Sequence, residues 1–120
     1  MEKTSLGVVE RRFADLIWEY APINTRDLAK LCKEKLNWAR TTTYTVLKKL
    51  CVMGLFDMSN ARVKVLITKD EFNAIASHQF VDSTYGGSLP AFIAAFSTRQ
   101  KLGKEDLDEI RKMIDAMEEA

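Results

Sequence analysis

The chain has 120 residues, 47% of them apolar, with 18 Lys and Arg against 17 Asp and Glu. This length suits one domain, or a small domain with an appendage, and the apolar content supplies a packed core without disulfides or metals. With only Cys32 and Cys51 and no CxxC pair, two buried thiols are expected in preference to a redox pair or a metal site. No apolar run reads as a signal peptide or a membrane span, so a cytoplasmic protein is expected. The net charge of +1 hides an asymmetry. Residues 1–70 hold 13 Lys and Arg against 8 Asp and Glu, and residues 71–120 hold 5 against 9. Such a division predicts that only the basic first part touches a polyanion, with the acidic part facing away from it.

A first helix is predicted from Val8 to Tyr20, with Val9, Phe13, Leu16, Ile17 and Tyr20 on one apolar face and Gly7 or Ser5 as its cap. Ala21-Pro22 ends it, because proline cannot continue the helix. Ile23-Asn24 is a short extended link. Thr25 then reads as the N-cap of a second helix from Arg26 to Leu36, with Asp27 suiting its dipole. This helix buries Leu28, Leu31, Cys32 and Leu36 and carries Lys30, Lys33 and Lys35 outside. Asn37-Trp38-Ala39 turns into the third helix, with Trp38 as a packing plug between helices. Cys32 and Cys51 lie on apolar stripes and read as buried thiols.

The third helix has two faces with different chemistry. Val46, Leu47 and Leu50 are spaced to enter a core. The opposite face carries Arg40, Thr41, Thr42, Tyr44, Thr45, Lys48 and Lys49, which is basic, rich in hydroxyls and free of carboxylates. That composition suits DNA. Thr41, Thr42, Tyr44 and Thr45 are candidates for base edges, and Arg40, Lys48 and Lys49 for phosphates. Gly54 follows as a left-handed terminator. Leu55 to Met58 and Val63 to Ile67 read as two strands joined by Ser59-Asn60-Ala61-Arg62, with Arg62 and Lys64 as further phosphate contacts. Helix, short strand, helix, helix and hairpin is the order of a winged helix-turn-helix.

Thr68 and Glu71 form a capping box opening a fourth helix that carries Phe72, Ile75, Ala76 and Phe80. His78 has no second ligand candidate beside it and reads as a surface or packing residue. After Gly86-Gly87, Ser88 caps a helix bearing Leu89, Phe92, Ile93 and Phe96. A last helix from Lys104 to Glu119 sets Leu107, Ile110, Ile114 and Met117 at coiled-coil spacing. Three short helices have too little volume to hide these stripes in a core of their own. Burial against a second copy is therefore expected, and a two-fold dimer places two recognition helices one turn of DNA apart. The expected division is 1–68 for a DNA-binding winged helix and 69–120 for a dimerisation region, in a fold that is mainly α with a small β-hairpin.

The chain resembles the penicillinase-repressor family of winged-helix regulators, which includes repressors of β-lactamase and methicillin-resistance genes and copper-responsive copY-type repressors. The resemblance is carried by Glu10 and Leu16-Ile17-Trp18, then by Trp38, Thr42, Thr45, Leu47, Lys49 and Leu50 in the third helix. Gly54-Leu55, Arg62, Phe80 and Tyr85-Gly86-Gly87-Ser88-Leu89 follow. It implies a homodimeric repressor on a dyad-symmetric operator of a resistance or stress operon. In the β-lactam branch it also implies a membrane sensor-transducer that leads to proteolysis of the repressor. Several positions depart from the family pattern. Arg11 replaces an aromatic residue, Thr43 a Val or Ile, and Ala61 the wing glycine; Tyr44 occupies a polar recognition position, Leu66 stands near the usual wing tyrosine, and the wing turn is a residue short. Ala95-Phe96 stands at the usual Asn-Phe cleavage pair, which argues against that route of induction. The tail lacks the cysteines of the copper branch.

Two other classes compete. A protein-binding winged helix without a DNA partner calls for an apolar patch on the third helix, where Arg, Thr and Lys stand instead. An enzyme calls for a catalytic constellation, and one His, two stripe cysteines and no phosphate loop do not supply it. No cofactor or metal is expected.

Overall fold

The structure, a computed structural model, describes residues 6–120. Its elements run α1 (Val8–Tyr20), β1 (Ile23–Asn24), α2 (Thr25–Leu36), α3 (Arg40–Val52), β2 (Phe56–Ser59), β3 (Arg62–Val65), α4 (Lys69–Tyr85), α5 (Leu89–Arg99) and α6 (Lys104–Glu119). By compactness the chain divides into two units, one ending at Gln79 and the other running from Phe80 to Ala120.

The first unit contains the winged helix. Its sheet is antiparallel in the order β1-β3-β2, so the short link at Ile23-Asn24 is a true third strand. Ile23 pairs with Val63 and Asn24 with Arg62, while Phe56 pairs with Val65 and Ser59 with Arg62. The hairpin turns on Asn60 and Ala61, with φ of 53° and 57°. Two consecutive left-handed residues match the strands' right-handed twist, which explains the short turn.

Helix ends follow local chemistry. Gly7 caps α1, its N–H donating to Glu10 Oε1 at 3.1 Å; Ser5, the other candidate, lies outside the described residues. Asn24, one residue earlier than expected, caps α2, its side-chain oxygen accepting from the Asp27 N–H at 2.8 Å. Thr25 is thereby the first helical residue. Asn37, at φ 57°, closes α2 in the left-handed conformation that an Asn tolerates. The Thr68 capping box is present in both directions, Thr68 N–H to Glu71 at 2.8 Å and Glu71 N–H to Thr68 Oγ1 at 3.1 Å.

The core joins Phe13, Ala14 and Ile17 of α1, Leu28 and Cys32 of α2, Leu47 and Leu50 of α3, then Leu55, Phe56, Val63 and Phe72. The outer members of the α1 stripe, Val9 and Tyr20, are exposed, as is Ile75 of α4. They sit at the margins of their helical faces, beyond the reach of this core. Trp38 plugs the helix-turn-helix as expected, its ring 5.2 Å from Phe13. Trp18 donates its indole N–H to the Ile67 carbonyl at 3.0 Å and packs on Phe56 and Phe72. Arg11 lays its guanidinium over Trp18 and Phe72, at 5.4 and 5.8 Å. A cation–π lid thus stands at the position of the family's aromatic residue.

Within the second unit, Phe80, Tyr85, Phe92 and Phe96 form a chain of edge and tilted ring contacts spaced 5.8 to 6.1 Å. Among the described residues of α5 and α6 none is buried. Leu89, Ile93, Phe96, Ile114 and Met117 are exposed in the single chain, and Leu107 and Ile110 are half-buried.

Candidate nucleic-acid interface

The turn at Asn37 and the Trp38 plug fix α3 against α2, and Leu47, Leu50 and Thr43 anchor its inner face. Thr43 is fully buried, its hydroxyl 3.5 Å from the Ala39 carbonyl. It also faces Cys32: burial pushes the Cys32 thiol up, and hydrogen bonding with Thr43 opposes that shift. An inert, shielded thiol is the result.

The outer face of α3 presents Arg40, Thr41, Thr42, Thr45 and Lys48 to solvent, with Tyr44 half-buried among them. Arg62 and Lys64 extend from β3 as exposed cations of the wing. Lys49 differs from the rest. It forms an ion pair with Glu10 at the start of α1. Hydrogen bonding from Lys49, then from the Gly7 N–H, holds the Glu10 carboxyl below its ordinary value.

Tyr44 is also engaged. The Arg40 guanidinium lies over its ring at 5.5 Å. Hydrogen bonding from the Thr25 side chain, then from Arg40, holds its phenol below the usual tyrosine range, and the charges of Arg40 and Arg26 add to this. The wing reaches the same place, because the Thr25 N–H donates to the Ala61 carbonyl at 2.9 Å.

Two shallow clefts flank this cluster. One is lined by Arg26, Ala29, Lys30, Lys33, Trp38 and Arg40. The other is lined by Asn24, Thr25, Arg26, Asp27, Arg40 and Ala61. Arg26 and Arg40 belong to both. In the sequence alone, Arg26 stands only as a helix start and Lys30 and Lys33 as outer decoration of α2. Their i, i+4, i+7 spacing was the available signal, since residues so placed share one helix face. Among the described residues, no group of three His, Cys, Asp or Glu is placed to hold a metal ion, and no helix is long and apolar enough to cross a membrane.

A helix-turn-helix with a hairpin wing, followed by further helices, defines a winged-helix regulator. The family model described as "Penicillinase repressor" matches residues 6–116, and the chain belongs to that family of transcriptional repressors. It is 25% identical over 104 residues to a penicillinase repressor of Bacillus licheniformis, covering 83% of this chain and 81% of that one.

Proposed function

We propose that the protein is a homodimeric repressor that binds a dyad-symmetric DNA operator in the cytoplasm and acts by occupancy, without catalysis. The observation that carries this reading is the exposed, carboxylate-free face of α3, set on a rigid helix-turn-helix beside two wing cations. Thr41, Thr42 and Thr45 reach base edges, where hydroxyls and threonine methyls give modest discrimination. Arg40, Lys48, Arg62 and Lys64 bind phosphates and set the register. DNA shape supplies part of the specificity.

The functional division falls at 68/69. The dimer forms through the apolar faces of the C-terminal helices, including Leu89, Ile93, Phe96, Ile114 and Met117, all exposed in the single chain. Covering them with a second copy removes an apolar surface that a monomer rarely leaves in water.

Selection of bound sites from a random DNA pool, at a fixed salt concentration, tests the reading. Enrichment of a palindrome with half-sites about one helical turn apart is expected. Recovery of no symmetric sequence overturns it.

A further inference from the structure

We propose that Arg26, Arg40 and Tyr44 form a seat for a single phosphodiester group of the bound DNA, with Tyr44 donating its hydroxyl proton to that group and no base edge. This inference rests on the DNA-binding reading above and assigns to Tyr44 a different role from its helical neighbours.

The geometry separates Tyr44 from Thr41, Thr42 and Thr45. Those three are exposed, whereas Tyr44 is half-buried and its ring is covered by the Arg40 guanidinium at 5.5 Å. Thr25 of α2 and Arg40 of α3 both act on its phenol, holding it below the usual tyrosine range. A phenol oxygen approached by donors keeps its own proton for an outside acceptor. Acidification by the same neighbours makes that proton a stronger donor.

The cleft beside it fits an anion. Arg26 and Arg40 both line it, and its one carboxylate, Asp27, is engaged by the Asn24 amide at 3.1 Å. Two guanidiniums and a hydroxyl are donors, and with the one carboxylate held by Asn24 they complement a phosphate better than a base edge carrying both kinds of group. The seat is held from three sides. Arg40 begins α3, Arg26 stands in the first turn of α2, and the Ala61 carbonyl of the wing is bonded to the Thr25 N–H. A phosphate there fixes how far α3 enters the groove.

The test uses the full-length protein and the palindrome that the wild type enriches. Tyr44→Phe keeps the ring under Arg40 and removes only the hydroxyl. It is expected to weaken binding about tenfold, equally on all sequences, while leaving the salt slope unchanged. Arg26→Ala, an exposed substitution, lowers the salt slope by about one unit. Replacing DNA phosphates one at a time with methylphosphonate then locates the seat: at one position in each half-site, wild type and Tyr44→Phe bind equally. Tyr44→Phe altering the selected bases, or no methylphosphonate position erasing the difference, overturns the seat while the repressor reading stands. Failure of the wild type to select any DNA removes both. Arg26→Ala with an unchanged slope also counts against the seat, whatever Tyr44→Phe does to folding.

Discussion

Glu10 and Lys49 form an ion pair that ties the start of α1 to the last turn of α3. The same carboxylate accepts the Gly7 N–H, so one side chain both caps the first helix and holds α3. Lys49 therefore differs from its neighbour Lys48, whose exposed side chain forms no ion pair among the described residues.

Replacing each lysine by alanine separates the two. Lys48→Ala is expected to lower the slope of log affinity against log salt by about one unit, the signature of a lost phosphate contact. Lys49→Ala is expected to leave that slope unchanged. Operator titrations over a salt series measure both. A reduced slope for Lys49→Ala means that this side chain leaves Glu10 for the DNA.

Glu10 also sets an acid response. Its folded pKa lies below the ordinary 4.5, so the carboxylate stabilises the fold at pH values above 4.5. That contribution fades as pH falls below 4.5 and through the lowered folded value, because the folded state resists the proton that the unfolded state accepts. Thermal melts of the wild type and Glu10→Gln should differ at pH 7 and converge in acid. A gap that widens on acidification contradicts the pairing.

Ala61 sits at φ 57° in the wing turn, a conformation that costs a residue with a Cβ. Ala61→Gly relieves that cost and gives back part of it through a more flexible unfolded chain. The expected gain is about 0.5–1 kcal/mol, or about 3 °C in Tm. Calorimetry decides it, and a lower Tm counts against the turn geometry.

Thr43 buries a hydroxyl whose acceptor, the Ala39 carbonyl, already receives the Thr43 N–H at 3.2 Å. Thr43→Val removes a polar group from the core and leaves that carbonyl satisfied. Urea unfolding should show a gain of about 0–1 kcal/mol at constant m. A loss of 1 kcal/mol or more, on the order of one net hydrogen bond, would show that the hydroxyl and Cys32 are tightly coupled.

The proposed dimer is best tested at Ile114. Phe92 contacts Phe80, Tyr85 and Phe96 within its own chain, so a charge there also damages the unit's own packing. Ile114 is 48% exposed in the single chain and spares that cluster. Ile114→Asp is expected to sediment as a monomer with its helix content intact and to bind the operator far more weakly. Sedimentation as a dimer rules out the α6 stripe as the seam.

Much of the winged helix was legible in the sequence because it depends on local signals. Apolar spacing located the three helices, Asn37 and Gly54 marked helix ends, and Thr68 with Glu71 opened α4. What local pattern misses is pairing across distance. Glu10 and Lys49 are 39 residues apart, and nothing near either one announces the other. The engagement of Tyr44 by Thr25 is equally hidden, because it exists only once α2 and α3 are packed. Thr43 was legible: left off the polar face and standing at a position usual for Val or Ile, it is fully buried. The cations of α2 were visible singly, and only the fold brings Arg26 beside Arg40.

The bond from Thr25 to Ala61 makes the wing and the second helix one rigid piece. A hairpin of another length, transplanted from a relative, would arrive without a carbonyl at that spot and would pull the β1 pairing of Asn24 with Arg62 out of step. If the protein reads DNA as proposed, retargeting it belongs on Thr41, Thr42 and Thr45, which are exposed and can be exchanged without disturbing the core. The hairpin is a strut, not an interchangeable module.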